Sequence, residues 1–455
     1  MLGRFMNKGG YVLFALAIVF LAFVGGLVVA VAELFPSELV RNAYRAGGAL
    51  ALKYSYYSDP FNSNLWTPAR TPRRGVTLHD PNRTYPGLTL YTSGEGNKAL
   101  LVNMDGQVVH EWRRPFSTVW DESAATRSPV PDIQVYFRKA HVFPNGDLLA
   151  IYIGAGDTPW GYGLVKLDKD SNVIWKNLAH FHHDFAITKD GTIYGLTHSF
   201  RKQPLEGASH LDLPVIEDFL VILSPNGKIL KKISLLEAVN RSPYSRLLER
   251  VWWFTLWDPL HTNSIEVLDP DMAAHLRPKI PVAAPGQVLI SFRELAGGTI
   301  ALLDVAQEKI VWAVRGPWMA QHDADVLPNG NLLLFDNLGH FGPGGMSRIL
   351  EVNPATSGIV QSYSGTPEKP LDNYLRGAQQ LLPNRNVLIT ESNPGRLLEV
   401  APNGDIVWEF YNPARGGKNN ELIAVVSYAQ RIDPATLASR FRAEIAGSVS
   451  AGAGK

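Results

Sequence analysis

The 455-residue sequence predicts an all-β fold, a six-bladed β-propeller of four-stranded antiparallel blades preceded by one N-terminal transmembrane helix. Three observations carry that prediction. One strand–turn–strand phrase recurs six times, a second strand–turn–strand phrase alternates with it, and a single uncharged apolar run stands near the N-terminus.

The apolar run comes first in the chain. Tyr11 to Ala32, "YVLFALAIVFLAFVGGLVVAVA", holds no charged residue and as a helix is long enough to cross a hydrocarbon core of about 30 Å. Arg4 and Lys8 precede it with no acid between them, which favours a cytoplasmic N-terminus and an exported remainder, periplasmic in a bacterial cell. "AVA" at Ala30 to Ala32 resembles a cleavage site, but the apolar core is longer than a usual signal segment and favours an uncleaved anchor. The expected organisation is an anchor over 1–35, a juxtamembrane helix and Pro/Asn/Arg-rich linker over 36–84, a propeller over 85–430, and a tail over 431–455.

The first phrase reads "LLVNMDGQVVHEW", "LVKLDKDSNVIWKN", "LVILSPNGKILKKI", "IALLDVAQEKIVWAV", "ILEVNPATSGIVQSY" and "LLEVAPNGDIVWEF". Between its copies lies the second, as in "HVFPNGDLLAIY", "HHDFAITKDGTIYGLTH", "HDADVLPNGNLLLFDN" and "QQLLPNRNVLITES". Each pair supplies four antiparallel strands. Copies about 48 to 80 residues apart match the repeat scale of propeller blades, whereas a sandwich or stacked barrels would not require one two-hairpin unit to recur. Leu88 to Tyr91 and Leu422 to Tyr428 are the candidates to close the ring. Two insertions interrupt the pattern: Pro-rich Asp269 to Pro285, which reads as a long loop, and Ser234 to Trp257, which reads as partly helical and ends in Trp252, Trp253, Phe254 and Trp257. That aromatic end suits core packing, a lid over one mouth, or a membrane-facing patch.

Composition removes whole classes of chemistry. Lysine and arginine total 43 against 42 acids, so nothing attracts nucleic acid in general. There is no cysteine, which excludes thiolate catalysis, disulfides and cysteine-ligated zinc. No cofactor motif stands out.

The histidines gain meaning from register. His183 precedes the turn glycine Gly191 by eight residues, and His322 precedes Gly330 by eight. "HTNSI" at His261 matches "HDFAI" and "HDADV" in its β-branched residue four positions on, while other copies place Arg138 and Gly377 there. Seven residues after each turn anchor stand Ile153, His198, Arg293, Asn337 and Ser392. Equivalent positions of successive blades face one place, so these rings should converge at one channel mouth. A lone histidine such as His110, His141 or His340 reads as a hydrogen-bonded core residue. Three in one register with an arginine alongside read as a site.

Three imidazoles suit zinc or copper, but Arg293 would repel a cation and no carboxylate ligand joins them, so no metal is expected. The set suits a tetrahedral oxyanion instead, the guanidinium donating to its oxygens and one imidazole acting as nucleophile on a sulfuryl or phosphoryl group. "HHDF", "LHTNSIEV" followed by "LISFRE", and "QHDADVLPNGNLLLFDN" resemble, in order, the active-site segments of the bacterial aryl sulfotransferases that work without the nucleotide sulfate donor. The resemblance implies an exported six-bladed propeller that passes sulfuryl from a phenolic sulfate ester to a phenol by a ping-pong route. It implies that His322 is the sulfated residue, that His261 and Arg293 stabilise the oxyanion, and that His183 or its neighbour His182 supports them; His182, His198, Asn337 and Ser392 are expected around the substrate. Asp323 is a candidate to orient His322, although a strand neighbour points to the opposite face. The competing class is a membrane-anchored propeller that binds a partner or small anion at the same mouth without catalysis. A quinone-dependent dehydrogenase is a weaker reading, because its docking repeats and calcium-ligating carboxylates are not evident.

Overall fold

The computed structural model describes residues 8–32 and 34–452, in two compact units, 1–58 and 59–455. The first unit is two helices, α1 over Lys8–Val31 and α2 over Ser37–Ser58. Gly9–Val31 is long and apolar enough to cross a membrane, and none of it is buried against other residues.

The second unit is a β-propeller. Five four-stranded sheets and one five-stranded sheet are each hydrogen-bonded in antiparallel order. Their inner strands are Val426–Ile432 (sheet I), Val135–Val142 (II), Phe181–Ile187 (III), Thr262–Val267 (IV), His322–Val326 (V) and Ala378–Leu381 (VI). Each inner strand lies against the next sheet's, and sheet VI returns to sheet I. The second phrase supplies the two inner strands of a sheet and the first phrase the two outer ones, as the repeats predict. Closure joins Val426–Ile432 to Leu88–Ser93. Arg431, on the closing strand, meets Glu399 of sheet VI at 3.1 Å with both side chains fully buried, and also donates to Thr89.

The repeated residues explain the ring. Turn glycines Gly146, Gly191, Gly286 and Gly330 hold φ between 72° and 90°, and Arg385 takes the same left-handed turn at φ 70°. At Gly330 a Cβ would stand 2.2 Å from the His275 carbonyl oxygen, so only glycine fits. The phrase's tryptophans stitch neighbours together, Trp112 donating to the Gly146 carbonyl, Trp175 to that of Pro225 and Trp408 to that of Met104. Apolar clusters fill the gaps between adjacent sheets rather than one centre, which leaves the channel lining free to be polar.

Four segments differ from expectation. The 36–84 region does hold a helix, but its linker half contributes Trp66–Pro68, paired with Leu422–Ala424, and Gly75–His79, which adds a fifth strand to sheet VI and covers its edge. Leu422–Ala424 is therefore not part of the closing strand. Asp269–Pro285 is not all loop, because Asp269 caps a short helix over Pro270–Leu276 by accepting from Asp271 N and Met272 N. The 431–455 tail ends in a helix over Ser439–Gly452 whose Phe441 and Ile445 are buried with Trp112. Ser234–Trp257 is partly helical as expected, with a helix over Leu235–Asn240 and a 3-10 turn over Ser245–Arg250.

Candidate active site

Bulges build the site. The inner strands of sheets I to V each lose register near the same end, between Val426 and Tyr428, Phe137 and Ala140, His182 and Phe185, Thr262 and Ser264, and His322 and Asp325. His183 and Asp323 there take φ of 52° and 54°, and His261, just before the bulge of sheet IV, takes 45°. A bulge re-aims side chains, so neighbours that would face opposite ways in a regular strand enter one site.

His322 is buried, and its Nδ1 faces two oxygens, Asn337 Oδ1 at 2.8 Å and the Ala320 carbonyl at 3.1 Å. Asn337 cannot turn its amide around, because Nδ2 donates to the carbonyls of Asn373 and Arg376 at 2.7 Å each. Two acceptors at Nδ1 place the proton there in the neutral ring. The lone pair is left on Nε2. Burial, then the charges of Arg293 and Arg138, hold His322 well below the usual histidine value, so the ring is neutral at pH 7.

His183 is held low in the same way, by burial and then by His182, His261 and Arg138. Its ring stands 5.1 Å from that of His261. His182 Nδ1 and His183 Nδ1 are 2.8 Å apart, so one of them carries the shared proton. His182 Nε2 faces Asp218 Oδ1 at 3.5 Å. Burial pushes the Asp218 carboxyl up, but His182 and the Thr262 N–H outweigh it and hold it below the usual range. A carboxylate beyond Nε2 favours the proton on that nitrogen, which makes His182 Nδ1 the acceptor and His183 Nδ1 the donor. His183 Nε2 then keeps a lone pair.

His261 Nδ1 bonds Asp258 Oδ2 at 2.5 Å, and its ring stacks on Trp160 at 5.4 Å. Arg293 bonds Glu294 at 3.1 Å and keeps a buried Nε without a partner. Arg138 is buried, donates to the Ser427 carbonyl at 2.8 Å, and makes no salt bridge among the described residues. Two guanidiniums beside neutral imidazoles make a site for an anion.

His182, His198 and Asp218 offer donor atoms within 4.8 Å of one another. Their geometry does not fit a shared ion. The two rings stack at 4.5 Å and 23°, so their in-plane lone pairs do not converge, and His198 Nε2 accepts from Gly161 N, which places the neutral ring's proton on Nδ1. Burial, then His182, holds His198 well below the usual histidine value. Deeper in the channel a cavity of about 210 Å³ is lined by Lys139, Asp184, Glu266, Asp323, Asp325 and Tyr428. A cavity of about 730 Å³ lies on the turn-glycine side, lined by residues such as Leu327, Tyr363 and Arg385, and holds none of the candidate residues.

The sequence of residues 139–413 matches the family described as Arylsulfotransferase (ASST), over more than half of the chain. The chain belongs to the arylsulfotransferase family. Membership supports aryl sulfotransfer in general as its activity, with aryl donor and acceptor substrates. No curated protein matches the sequence. Similar solved structures include a protein of unknown function from Bacteroides caccae (13% identity, TM-score 0.46, 76% of this chain and 98% of that one). A streptogramin B lyase (12%, 0.40, 81% and 97%) and BamB from Moraxella catarrhalis (10%, 0.33, 80% and 98%) are others. The fold rests on the strand order above.

For this arylsulfotransferase-family chain the structure brings together His322, His261, Arg293, His183 and His182, with His198 stacked behind His182. Asn337 is adjacent, its Oδ1 on His322 Nδ1 and its Nδ2 on the carbonyls of Asn373 and Arg376. The Ser392 carbonyl accepts from Val426 N at 3.2 Å, and its buried hydroxyl has no partner among the described residues. Asp323 does not touch the His322 ring; it accepts from Gln379 N at 2.8 Å, and burial raises it to about 6. Trp252, Trp253, Phe254 and Trp257 are exposed, which removes the core-packing reading. Sequence reasoning missed Asp218, Asp258 and Trp160, and did not use Arg138. "WDPLH" holds the Asp258–His261 spacing, and Arg138 stands in the histidine register, whereas nothing local ties Asp218 or Trp160 to the site.

Proposed function

We propose that the protein transfers a sulfuryl group from a phenolic sulfate ester to a phenol by a ping-pong route through a sulfated His322. The carrying observation is the fixed tautomer of His322, Nδ1–H held by Asn337 and Ala320, which leaves Nε2 as a neutral nucleophile that needs no base. Nε2 attacks sulfur, the sulfur–oxygen ester bond breaks, and the aryloxide leaves with that electron pair. Arg293 and Arg138, with the His261 ring oriented by Asp258, oppose the charge on the sulfuryl and leaving oxygens. In the second half, the His183 lone pair takes the acceptor's phenolic proton, the phenol oxygen attacks sulfur, and the sulfur–nitrogen bond returns its pair to Nε2. His182 and Asp218 hold His183 in that tautomer. The apolar helix anchors the chain, with the propeller on the extracytoplasmic, periplasmic side.

The test is a single-turnover reaction. Full-length protein mixed with 4-nitrophenyl sulfate and no acceptor should release about one equivalent of phenol as a burst, with a sulfuryl adduct on the peptide that contains His322. His322→Asn should lose burst and adduct with its β-sheet spectrum unchanged. An adduct elsewhere, or full turnover by the variant, sinks the assignment; binding without any release over many donors favours a non-catalytic anion site.

A further inference from the structure

The inner strands run from the histidines down to the turn glycines, so the segments entering inner strands and leaving second strands belong to one face, the face with the channel mouth. The exposed aromatic and methionine side chains gather on those segments. Trp253 and Phe254 precede His261, Met319 precedes His322, Phe341 and Met346 follow Asn337, and Tyr374 precedes the inner strand of sheet VI. Trp253 is 81% and Phe341 89% exposed. The opposite face differs. Its exposed apolar residues, such as Val108, Ile174, Ile229 with Leu230, and Ile359 with Val360, are aliphatics beside turns, one or two at a time.

Scattered exposed aliphatics are ordinary, whereas tryptophans, phenylalanines and methionines around one opening mark an interaction surface. Their distribution argues against a groove for one peptide, because they come from segments of sheets IV, V and VI around a mouth. Arg241, Arg246 and Arg250 are exposed in the same insertion as the tryptophans, against one exposed acid within it, Glu249. Aromatic rings with arginines suit the headgroup level of an anionic bilayer. The chain carries its own helix of membrane-spanning length.

We propose that the histidine-bearing face of the propeller docks on a lipid bilayer, its aromatic rim at the headgroup boundary and the channel mouth toward the membrane surface. Tryptophan places its ring among acyl chains and its N–H among headgroups, and arginines bind lipid phosphates beside it. This docking stands on surface chemistry alone and is independent of the transfer reaction.

Because the chain has no cysteine, single labels are clean. Trp253→Cys, Phe341→Cys and, as a control on an outer strand, Val360→Cys are made in the full-length chain, labelled with bimane and placed in nanodiscs of phosphatidylcholine and phosphatidylglycerol with brominated acyl chains. Quenching of about twofold or more is expected at 253 and 341 and none at 360, weakening when phosphatidylglycerol is omitted. Quenching at neither rim position, or at only one, overturns face-on docking. Protection of both labels from aqueous iodide without bromolipid quenching overturns it in favour of a second copy or a protein partner. Should a variant lose its β-sheet spectrum, Met346→Cys and Tyr374→Cys report on the same rim.

Discussion

Asn337→Ala separates positioning of the proposed nucleophile, His322, from stability, because every group it abandons keeps another partner. His322 Nδ1 retains the Ala320 carbonyl at 3.1 Å, the Asn373 carbonyl retains Ser347 Oγ at 3.2 Å, and the Arg376 carbonyl retains Asn373 Nδ2 at 3.0 Å. No buried polar group is orphaned. Three hydrogen bonds at about 1 kcal/mol each set a stability loss of about 3 kcal/mol. The chemistry should suffer separately. With one 3.1 Å bond left, the imidazole is free to tilt, and misplacing an attacking atom by a fraction of an ångström to 1 Å costs about 10- to 100-fold in rate. The assay is rapid-quench measurement of the phenol burst against donor concentration, alongside urea denaturation. The burst rate at saturating donor should fall by that factor with little change in the donor concentration at half-saturation. An unchanged burst rate in a folded variant would refute the claim that Asn337 holds the ring.

The burst rate should be flat from pH 8 to about the ordinary histidine value near 6.5 and fall only well below it, because His322 is held low; a fall centred near 6.5 contradicts its neutral, buried state. Folded His183, His198 and His322 resist protonation while the unfolded chain takes up protons below about 6.5, so stability should drop as pH falls through that value, read by urea melts at pH 7.5 and 5.5. Glu266 is raised to about 8 by burial, so stability it contributes when protonated is lost as pH rises from its unfolded value through 8; Glu266→Gln should therefore gain on wild type at pH 9, and equal melts at that pH would rule this out. Asp218→Asn should slow the phenol-dependent second half and spare the burst; the opposite split would deny His183 its role. Arg431→Met leaves Glu399 charged and buried at the ring closure and should cost about 3–5 kcal/mol, with unfolding at wild-type urea concentrations as the contrary result.

The strand repeats were legible because each sheet spells its own turn, a left-handed glycine between two apolar runs, and because the tryptophan that ends several copies of the phrase reaches the neighbouring sheet. The segments that were not legible owe their structure to partners far away. "GVTLH" at Gly75–His79 forms a strand because the edge of sheet VI offers it unpaired backbone groups, and the C-terminal helix is fixed by Phe441 entering the gap beside Trp112. The cap at Asp269 and the proline after it were local signals, readable as a helix start inside a Pro-rich insertion.

The site shows where counting from a turn stops working. By distance from the turn glycine His183 is equivalent to His322, yet across the hairpin His182 faces Leu196 and His322 faces Phe335, and Leu196 and Phe335 lie equally far past their glycines. In paired position, His182 is the counterpart of His322. The bulge of sheet III holds one residue more than that of sheet V, and sequence spacing alone does not reveal bulge size. That extra residue has a chemical consequence. His183 stands in the bulge beside His261, while His182, at the paired position, is withdrawn between His198 and Asp218 and bonded to His183 through Nδ1. Sheet V, with the shorter bulge, keeps its single histidine at the paired position, where Asn337 reaches Nδ1 from the adjacent strand. One repeat thus yields a lone imidazole with a free Nε2, suited to forming a bond, and the other a carboxylate–histidine–histidine line, suited to moving a proton.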